Sequence, residues 1–387
     1  MISVIDFYKF EDEHLAVNAA MLFIISTQFK SEAVHFYAED AHIENIKKYW
    51  RGNGLESDNV IFHPYAFRFK KSGGTSLVAK RIANEIISVF RLIGTKNIKQ
   101  TNRLFFLSLS PVTTILFKSL MFKKIPTIII LHGEVDYIKL NNGFTRNILG
   151  RIVRISFKLK RKKLFYVVLD EVVKTNLLQF GLLQKENIIA IPHPYLFDNN
   201  IAENEYNHPF KIAHLGIASA EKQSYYLFDV VKKYKNEIIN NKFQLFIVGN
   251  NQTGIENELI AGSTTKSMLD RETFESLVKS VHFSIFFYGD AYQLTSSGSI
   301  LDALNFEKPI IALKNDLFTA LFNRAGNIGF LCDDVAGIET IIKTIAENGI
   351  GIDTYRQMQK NMRQYKIDNS LEKIRIQLFS QFNLSVS

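Results

Sequence analysis

Small hydroxyl residues and a glycine precede a helical pattern in residues 294–313, which read LTSSGSILDALNFEKPIIAL. The first amides of a helix have no intrahelical partners and lie at the positive end of its dipole, so a phosphate could bind at residues 297–299. Asp302 would follow closely enough to accept hydrogen bonds from a sugar hydroxyl group. The segment therefore predicts a loop, a helix and a strand with an anion site.

The same residues also fit a structural interpretation. Ser299 followed by Asp302 is a helix-capping pattern, with Ser299 as the N-cap residue and the acid in the favourable first turn. The sequence alone leaves both interpretations open.

Two further loops could contact an anionic ligand. Gly216 follows the predicted strand 211–215, and Lys222 lies six residues later, where its ammonium group could reach a phosphate. Gly249 ends the predicted strand 244–248 and leaves room for a ligand. Glycine after a strand is common, so the prediction depends on all three loops occurring in one domain.

Composition limits the class of protein. The chain has 387 residues, of which 47% are hydrophobic and 12% aromatic, enough for two domains with large cores. Its single cysteine excludes an internal disulfide, and no Cys/His spacing typical of a zinc site occurs. The N-terminal residues lack a signal-peptide pattern and no run predicts a membrane span. We therefore expect a cytoplasmic protein without a metal ion, whose membrane association, if any, is peripheral.

Positive charge is concentrated in the first half. Residues 1–195 contain 28 Lys and Arg against 16 Asp and Glu, whereas residues 196–387 contain 19 against 22. This division indicates an anionic partner for the first half, such as a membrane surface or a lipid-linked phosphate. Nucleic acid is not expected, because no recognition motif and no interleaving of aromatic and basic residues occur.

Residues 146–163 hold eight basic residues and no acid. On a helix, one stripe is basic and is formed by Arg151, Arg154, Lys158 and Arg161. Another stripe is apolar and is formed by Ile148, Ile152, Ile155 and Leu159. Such a helix could lie on anionic lipid headgroups or contact an acceptor, or it could be an ordinary surface helix with its apolar stripe on the core.

Short apolar runs alternate with helical patterns along the chain, which is typical of parallel α/β sheets. The predicted strands of the first half are 3–7, 33–37, 60–62, 104–109, 127–131, 165–169 and 188–191. Those of the second half are 211–215, 244–248, 283–287 and 309–313. We predict an acceptor domain over 1–197, a linker over 198–209, a donor domain over 210–365, and a C-terminal helical segment over 366–387 that packs back on the first domain.

The second half resembles the donor domain of GT-B glycosyltransferases, particularly glycosyltransferase family 4. The resemblance rests on Gly216 and Lys222 after the first strand, on Val248-Gly249, and on the run from Ser296 to Pro309. It implies two Rossmann-like domains whose parallel sheets face each other across a cleft. It also implies that Lys222 and the amides of Ser297, Gly298 and Ser299 hold a donor diphosphate, with Asp302 at the ribose.

The chain departs from the family pattern at two places. Ile217 replaces the arginine expected after Gly216, so one diphosphate cation is missing or comes from elsewhere. The family's two glutamates would fall on Leu294 and Asp302, so the first is absent and the second is shorter.

In the first half, His132 ends the predicted strand 127–131, where many family members place a histidine that faces the reacting sugar. Glu134 and Asp136 are then candidates for a general base or for acceptor contacts. A purely structural loop histidine is the alternative for His132.

Together these observations predict a metal-independent glycosyltransferase that moves a sugar from a nucleotide-sugar to a saccharide or lipid-linked saccharide, as in bacterial surface polysaccharide synthesis. It would act in the cytoplasm, either free or peripherally bound at the inner face of the cytoplasmic membrane. The alternatives are a nucleotide-sugar epimerase or hydrolase on the same scaffold, and a non-catalytic protein that binds a nucleotide or a polysaccharide.

Overall fold

The structure, a computed structural model, describes residues 1–66, 75–120, 125–139, 144–198, 201, 206–262, 269–289 and 292–386. The chain forms two compact units. The first contains Met1–Leu196, Leu294–Ser296 and Asn369–Ser387, and the second contains Phe197–Gln293 and Ser297–Asp368.

The first unit is built on a parallel sheet of seven strands. They are β1 (Ile2–Asp6), β2 (Val34–Glu39), β3 (Val60–Tyr65), β4 (Arg103–Phe106), β5 (Thr127–Ile130), β6 (Leu164–Val168) and β7 (Ile188–Ala190). Their order is β3-β2-β1-β4-β5-β6-β7, and every paired strand is parallel to its neighbour. The strand order reverses between β1 and β4, which is the position where ligands bind in open α/β sheets.

Buried apolar runs form these strands because helices cover both faces of the sheet. Successive residues of β4 illustrate this arrangement: Phe105 packs into one core cluster, and Leu104 and Phe106 pack into the other. The helices that follow the strands are α1 (Leu15–Gln28), α2 (Asp40–Gly52), α3 (Thr75–Ile93), α4 (Lys96–Lys99), α5 (Pro111–Leu120), α6 (Phe144–Lys158) and α7 (Glu171–Leu178).

The second unit repeats this design. Its strands are β8 (Phe210–Ala218), β9 (Phe243–Asn251), β10 (Ile260–Gly262), β11 (Phe283–Phe286), β12 (Ile310–Leu313) and β13 (Gly329–Cys332). The sheet is parallel, in the order β10-β9-β8-β11-β12-β13, so its reversal lies between β8 and β11. Its helices are α8 (Tyr226–Lys233), α9 (Lys235–Ile239), α10 (Arg271–Ser280), α11 (Gly298–Asn305), α12 (Asp316–Ala325), α13 (Val335–Asn348) and α14 (Ile352–Asp368).

The last helix, α15 (Leu371–Val386), belongs to the first unit. Its apolar residues Ile374, Leu378 and Phe379 join the core cluster that also contains α1 and one face of the first sheet. Gln377 and Gln381 each donate a side-chain hydrogen bond to the carbonyl oxygen of Ala190 at the end of β7.

The prediction of two parallel α/β sheets is confirmed, and each predicted strand overlaps an observed one. Strands β10 and β13 had no predicted counterpart. The structure describes 198, 201 and 206–209 of the proposed linker, none of them in a helix or strand, and the rest of that segment lies outside the described residues. The predicted boundary at 365 falls inside α14, which continues to Asp368.

Candidate functional site

The second unit brings two glycines together near the carboxyl ends of β8 and β9, beside the point where its strand order reverses. Gly216 of β8 pairs with Gly249 of β9, and both have positive φ angles, of 80° and 147°. A Cβ atom on Gly249 would lie 2.1 Å from the carbonyl oxygen of Gly216, and a Cβ atom on Gly216 would lie 2.1 Å from Ser299 Oγ. Only glycine allows these approaches, so Gly249 packs closely on the backbone of Gly216, and Gly216 packs closely on Ser299 in the first turn of α11.

Lys222 lies in a turn that is held by its own hydrogen bonds. The backbone amide of Ser219 donates to Ser224 Oγ, and the amide of Ser224 donates to the carbonyl oxygen of Ser219. Ser224 Oγ also lies 3.2 Å from Nε2 of the fully buried His214 on β8. Burial, followed by the nearby Lys222 charge, lowers the pKa of His214 to about 4, so this histidine is a neutral anchor for the turn.

The ammonium group of Lys222 lies inside this cluster. Its Nζ is 3.7 Å from the Cβ position of Gly216 and 5.3 Å from the ring centre of Tyr288, which follows β11. Burial lowers the pKa of Lys222, while Tyr292 and Asp302 act against that shift. Among the residues that the structure describes, no carboxylate forms a salt bridge with Lys222. We name the group formed by Gly216, Lys222, Tyr288, Ser297 and Ser299 the Lys222 cluster.

Helix α11 begins with its first residues next to this lysine. Ser297 is the N-cap residue and Gly298 the first helical residue, so the prediction of Ser299 as N-cap is wrong. The Ser297 side chain makes no capping bond and instead lies 3.0 Å from the hydroxyl oxygen of Tyr288. A Cβ atom on Gly298 would meet nothing within 4 Å, so the start of the helix is open to a ligand.

Asp302 is not an isolated carboxylate. Its Oδ1 accepts a hydrogen bond of 3.2 Å from Nη1 of Arg271, the first residue of α10. Spacing does not predict this pair, because Arg271 and Asp302 lie 31 residues apart in the chain. Asp302 also acts on the pKa of Lys222, so this pair places the Arg271 guanidinium beside a carboxylate of the candidate site.

Of the residues predicted to bind the donor, the structure brings together Gly216, Lys222, Gly249, Ser297, Gly298, Ser299 and Asp302 in the second unit. Ser296 belongs to the first unit.

In the first unit, His132 follows β5 and is buried, with 8% of its surface exposed. Its Nε2 lies 2.7 Å from the carbonyl oxygen of Leu107. Burial, followed by the charge of Lys9, lowers the pKa of His132 to about 4, so the ring is neutral at pH 7. Because a carbonyl oxygen only accepts, Nε2 carries the proton and Nδ1 has a lone pair that could accept a hydrogen bond.

Two more histidines surround His132. The ring of His14, from the loop after β1, packs edge-on at 4.4 Å between ring centres. Burial, followed by the proximity of His132, holds the pKa of His14 well below its usual value, and its buried Nδ1 has no hydrogen-bond partner among the described residues. Burial also lowers the pKa of His193 to about 4. Sequence reasoning missed His14, whose backbone is in the left-handed region with a φ of 57°.

Glu134 and Asp136 follow in a 3-10 helix, Gly133–Lys139. The Glu134 carboxylate accepts a hydrogen bond of 3.0 Å from the backbone amide of His132, and burial raises the pKa of Glu134. Asp136 accepts a hydrogen bond from the hydroxyl of Thr295. Glu134 therefore contacts the turn that holds His132, whereas Asp136 joins this turn to the loop that contains Thr295.

A buried polar network lies where the strand order of the first sheet reverses, between β1 and β4. Asp6, the last residue of β1, is fully buried and accepts hydrogen bonds from Ser108 Oγ at 2.6 Å and from Asn18 Nδ2 at 2.7 Å. Glu85, on α3, accepts from the amide of Ser110 and from the hydroxyl of Thr113. Burial raises the pKa of Glu85 to about 7. The only sequence signal for Asp6 was a polar residue at a strand end.

Of the four basic residues predicted to contact a membrane or an acceptor, three lie on α6 and one lies beyond its end. Arg151 and Lys158 are exposed, whereas Arg154 donates a hydrogen bond to the carbonyl oxygen of Ile138. Helix α6 ends at Lys158, so Arg161 lies beyond it and packs on the ring of Phe117. The prediction that the basic stripe of this helix continues to Arg161 is therefore wrong, and contact of these residues with a membrane or an acceptor stays a prediction.

The apolar stripe of α6 faces outward. Ile148, Ile155 and Leu159 are 42%, 50% and 36% exposed, and the core contacts come from Val153 and Phe157. The exposed side of α6 thus combines apolar residues with Arg151 and Lys158.

None of the described helices has the length and hydropathy needed to cross a membrane. Within the described part of the chain, no group of three or more His, Cys, Asp or Glu side chains is arranged to hold a metal ion.

Comparison with solved structures identifies the class of fold. A variant of S. aureus TarM, in complex with Fondaparinux, alpha-GlcNAc-glycerol and UDP, is similar with a TM-score of 0.62 and 11% identity, over 99% of each chain. A glycosyltransferase from Rickettsia africae ESF-5 has a TM-score of 0.59 at 11% identity, covering 100% of this chain and 99% of that chain. A UDP-N-acetylglucosamine 2-epimerase has a TM-score of 0.51 at 13% identity, covering 95% and 93%.

No protein-family model and no curated protein sequence matches this chain. The two units have the α/β fold of the GT-B glycosyltransferases, and the similarity to these solved structures is one of fold.

Proposed function

We propose that this protein is a glycosyltransferase that moves a sugar from a nucleotide-sugar donor to a saccharide or lipid-linked saccharide acceptor. The Lys222 cluster is the observation that carries the proposal. A lysine without a salt bridge among the described residues, a serine hydroxyl and an open helix start meet at the reversal point of a parallel sheet. This combination suits the diphosphate of a nucleotide.

In this proposal the cluster acts on the leaving group. Breaking the bond between the sugar and the diphosphate leaves an additional negative charge on the diphosphate. The Lys222 ammonium group and the opening amides of α11 are fixed before the reaction, so they stabilise that charge without reorganisation. The proposal assigns this stabilisation to protein groups and requires no metal ion.

The Asp302–Arg271 pair is proposed to contact the nucleoside side of the donor. Asp302 would accept a hydrogen bond from a ribose hydroxyl, as the family resemblance implies. Arg271 holds the carboxylate at 3.2 Å and supplies a positive charge that the family pattern would place at Ile217.

The first unit is proposed to act on the acceptor. His132 is neutral, and with Nε2 bonded to Leu107 its Nδ1 would accept a hydrogen bond from an acceptor or donor hydroxyl. Glu134 would orient this histidine through its backbone amide. Asp136 remains a candidate for contacts with acceptor hydroxyl groups.

The exposed side of α6 supports a lipid-linked acceptor and a peripheral position at the inner face of the cytoplasmic membrane. Ile148 and Ile155 could enter the interfacial region of a bilayer, while Arg151 and Lys158 contact anionic headgroups. Bacterial surface polysaccharide synthesis is the kind of pathway that such an acceptor would serve.

The solved structures of similar fold support the transferase proposal, and one of them supports a second candidate function. Two of them are a glycosyltransferase and a TarM variant in complex with UDP and a GlcNAc-glycerol. The fold similarity to a UDP-N-acetylglucosamine 2-epimerase supports an epimerase or hydrolase as the alternative. Such an enzyme would turn over the nucleotide-sugar without any acceptor, whereas a non-catalytic protein would bind it without turnover.

The donor site can be tested by thermal unfolding in the presence of UDP, GDP, CDP, ADP and dTDP. A ligand at 100 times its dissociation constant adds about 2.7 kcal/mol to the stability of the folded state. We expect stabilisation by one nucleotide, lost in Lys222→Ala and kept in the control Lys232→Ala, whose side chain is 78% exposed. Absence of stabilisation by all five nucleotides would reject the donor site.

A further inference from the structure

A cavity of about 270 Å³ lies in the first unit at the end of α6. Its volume is close to that of the smallest typical ligand pockets, roughly 300 Å³. It is lined by the last turn of α6, the turn that leads into β6, and the segment before β7. These elements meet at the amino ends of β6 and β7. His132 and Asp6 lie at the carboxyl ends of their strands, so the cavity is at the opposite edge of this sheet.

The lining of the cavity is strongly basic. Five basic lining residues lie within residues 158–163: Lys158, Lys160, Arg161, Lys162 and Lys163. Lys118 of α5 is a sixth basic residue, and no acid lines the cavity. Among the described residues, no salt bridge is formed by Lys158, Lys160, Lys162 or Lys163. These four lysines line one concave surface and create a positive potential that favours an anion.

Lys118 is fixed at the inner side of the cavity. Its Nζ donates hydrogen bonds to the carbonyl oxygens of Ser156 and Leu159, which close the C-terminal end of α6. Two of its three protons are used in these bonds, which leaves one donor. Burial, followed by the Arg161 charge, lowers the pKa of Lys118 to about 8, and a bound anion would oppose this shift.

Tyr166 gives an independent indication of a ligand. This residue of β6 lines the cavity with only 2% of its surface exposed, and Lys118 Nζ lies 5.2 Å from the centre of its ring. Its hydroxyl oxygen is buried and has no hydrogen-bond partner among the described residues. A buried hydroxyl without a partner is costly, and a phosphate oxygen would be a suitable acceptor for it.

We propose that this cavity, which we name the Tyr166 pocket, binds the phosphate group of a phosphomonoester, carried either by a lipid headgroup or by a small soluble molecule. The Tyr166 hydroxyl and the remaining Lys118 proton donate hydrogen bonds to the phosphate, and the lysines of the 160–163 turn add positive charge. The site is independent of the Lys222 cluster and of the transferase proposal.

The first test is calorimetric titration with glycerol 3-phosphate. It is done in Lys222→Met protein, so that the Lys222 cluster does not contribute to the measured binding. We expect saturable binding that weakens about tenfold, equivalent to about 1.4 kcal/mol, when Tyr166→Phe is added. Phenylalanine keeps the ring packing and removes only the hydroxyl. Tyr65→Phe is the matched control, because the Tyr65 hydroxyl is also buried with no hydrogen-bond partner in the described part of the chain, but does not line the pocket.

The positive charge is tested in the same way. Lys160→Gln with Lys163→Gln should weaken binding and reduce its dependence on salt. Lys48→Gln with Lys232→Gln removes the same net charge at exposed positions away from the pocket and should leave binding unchanged. Equal weakening by both double variants would overturn the pocket, because it would mean that net charge alone attracts the anion.

Vesicle sedimentation distinguishes the two sources of the phosphate. Retention on vesicles containing phosphatidic acid, but not on pure phosphatidylcholine, together with displacement by glycerol 3-phosphate, assigns the pocket to a lipid headgroup. Binding of glycerol 3-phosphate without retention on either vesicle assigns it to a soluble ligand. The proposal is overturned if glycerol 3-phosphate does not bind saturably, or if it binds equally well to Tyr166→Phe.

Discussion

Replacement of Gly216 by alanine should remove nucleotide binding by moving Ser299. The φ angle of Gly216 is 80°, and a Cβ atom would lie 2.1 Å from Ser299 Oγ and 3.3 Å from Ser299 Cβ. Contacts of carbon with oxygen are normally near 3.5 Å, so the side chain of Ser299 or the start of α11 must shift by about 1.4 Å. The Lys222 Nζ lies on the same side of Gly216, at 3.7 Å.

This geometry gives two expected free-energy changes, one in folding stability and one in nucleotide binding. The left-handed backbone costs an alanine about 1–2 kcal/mol of stability. Displacing Ser299 removes hydrogen bonds to a charged phosphate, each of which contributes about 1.5–3 kcal/mol, so nucleotide affinity should fall at least about tenfold. Urea unfolding measures the first quantity, and titration with the nucleotide that stabilises the wild-type protein measures the second.

Gly254 provides a matched control. Its φ angle is 76°, and a Cβ atom there would meet nothing within 4 Å. Gly254→Ala should lose about 1–2 kcal/mol of stability, the cost expected for the left-handed backbone of an alanine at position 216, and keep its nucleotide affinity. If Gly216→Ala binds nucleotide as well as the wild type, or if Gly254→Ala loses affinity to the same extent, the packing of Ser299 against Gly216 does not form the donor site.

Three further predictions concern buried ionisable groups. Burial raises the pKa of Glu85 to about 7, so the folded protein favours the protonated carboxyl group. The stability that this preference provides is present below about pH 4.5 and is lost as the pH rises to 7. In urea unfolding, the wild type should therefore lose about 2–3 kcal/mol more stability than Glu85→Gln between pH 4.5 and 8. Parallel curves would contradict this assignment. His132→Asn should lower the rate of sugar transfer by about 10²-fold or more while nucleotide affinity stays unchanged, and full activity would exclude a role for this ring. Lys366, 3% exposed, binds Glu307 at 2.8 Å, and Arg363 contacts the same carboxylate at 2.7 Å. Lys366→Met should therefore cost about 1.5–3 kcal/mol by removing one of the two cations of a buried carboxylate, and adding Glu307→Gln should recover part of that loss; no recovery would refute the pairing.

Much of the fold could be predicted because parallel strands covered on both faces are continuous apolar runs. The five residues of β1 are all buried, and β12 reads Ile-Ile-Ala-Leu. Strands β10 and β13 were missed for a physical reason. β10 has three residues and two of them are exposed, and β13 begins with a glycine and is half-buried at its centre. Neither gives the apolar pattern of a buried strand.

Periodicity alone could not determine the orientation of α6. The sequence defines an apolar stripe, but tertiary packing selects Val153 and Phe157 for the core and leaves Ile148 and Ile155 exposed. The stem of Arg154 is accommodated because its guanidinium reaches the carbonyl oxygen of Ile138. Such a contact depends on a turn that lies outside the helix, so no pattern within the helix could predict it.

The candidate donor site was predictable where it depends on local backbone chemistry. Gly216 lies near the carboxyl end of β8, and Lys222 and the serines that begin α11 lie in segments that follow strands, which parallel sheets place at one edge. The contact between Arg271 and Asp302 joins different helices and was not predictable from spacing. The environment of His132 depends on Leu107 and His14, which come from two other loops of the first unit.

The central claim is tested most directly by measuring nucleotide release and product mass in the same reaction. The nucleotide-sugar is chosen from the nucleotide that stabilises the protein, and a lipid-linked saccharide extract of bacterial membranes is the acceptor. We predict nucleoside diphosphate release that depends on the acceptor, a product heavier by one sugar residue, and loss of both in Lys222→Ala. Release at the same rate without acceptor, or full activity in Lys222→Ala, would contradict a glycosyltransferase whose donor diphosphate is held by Lys222.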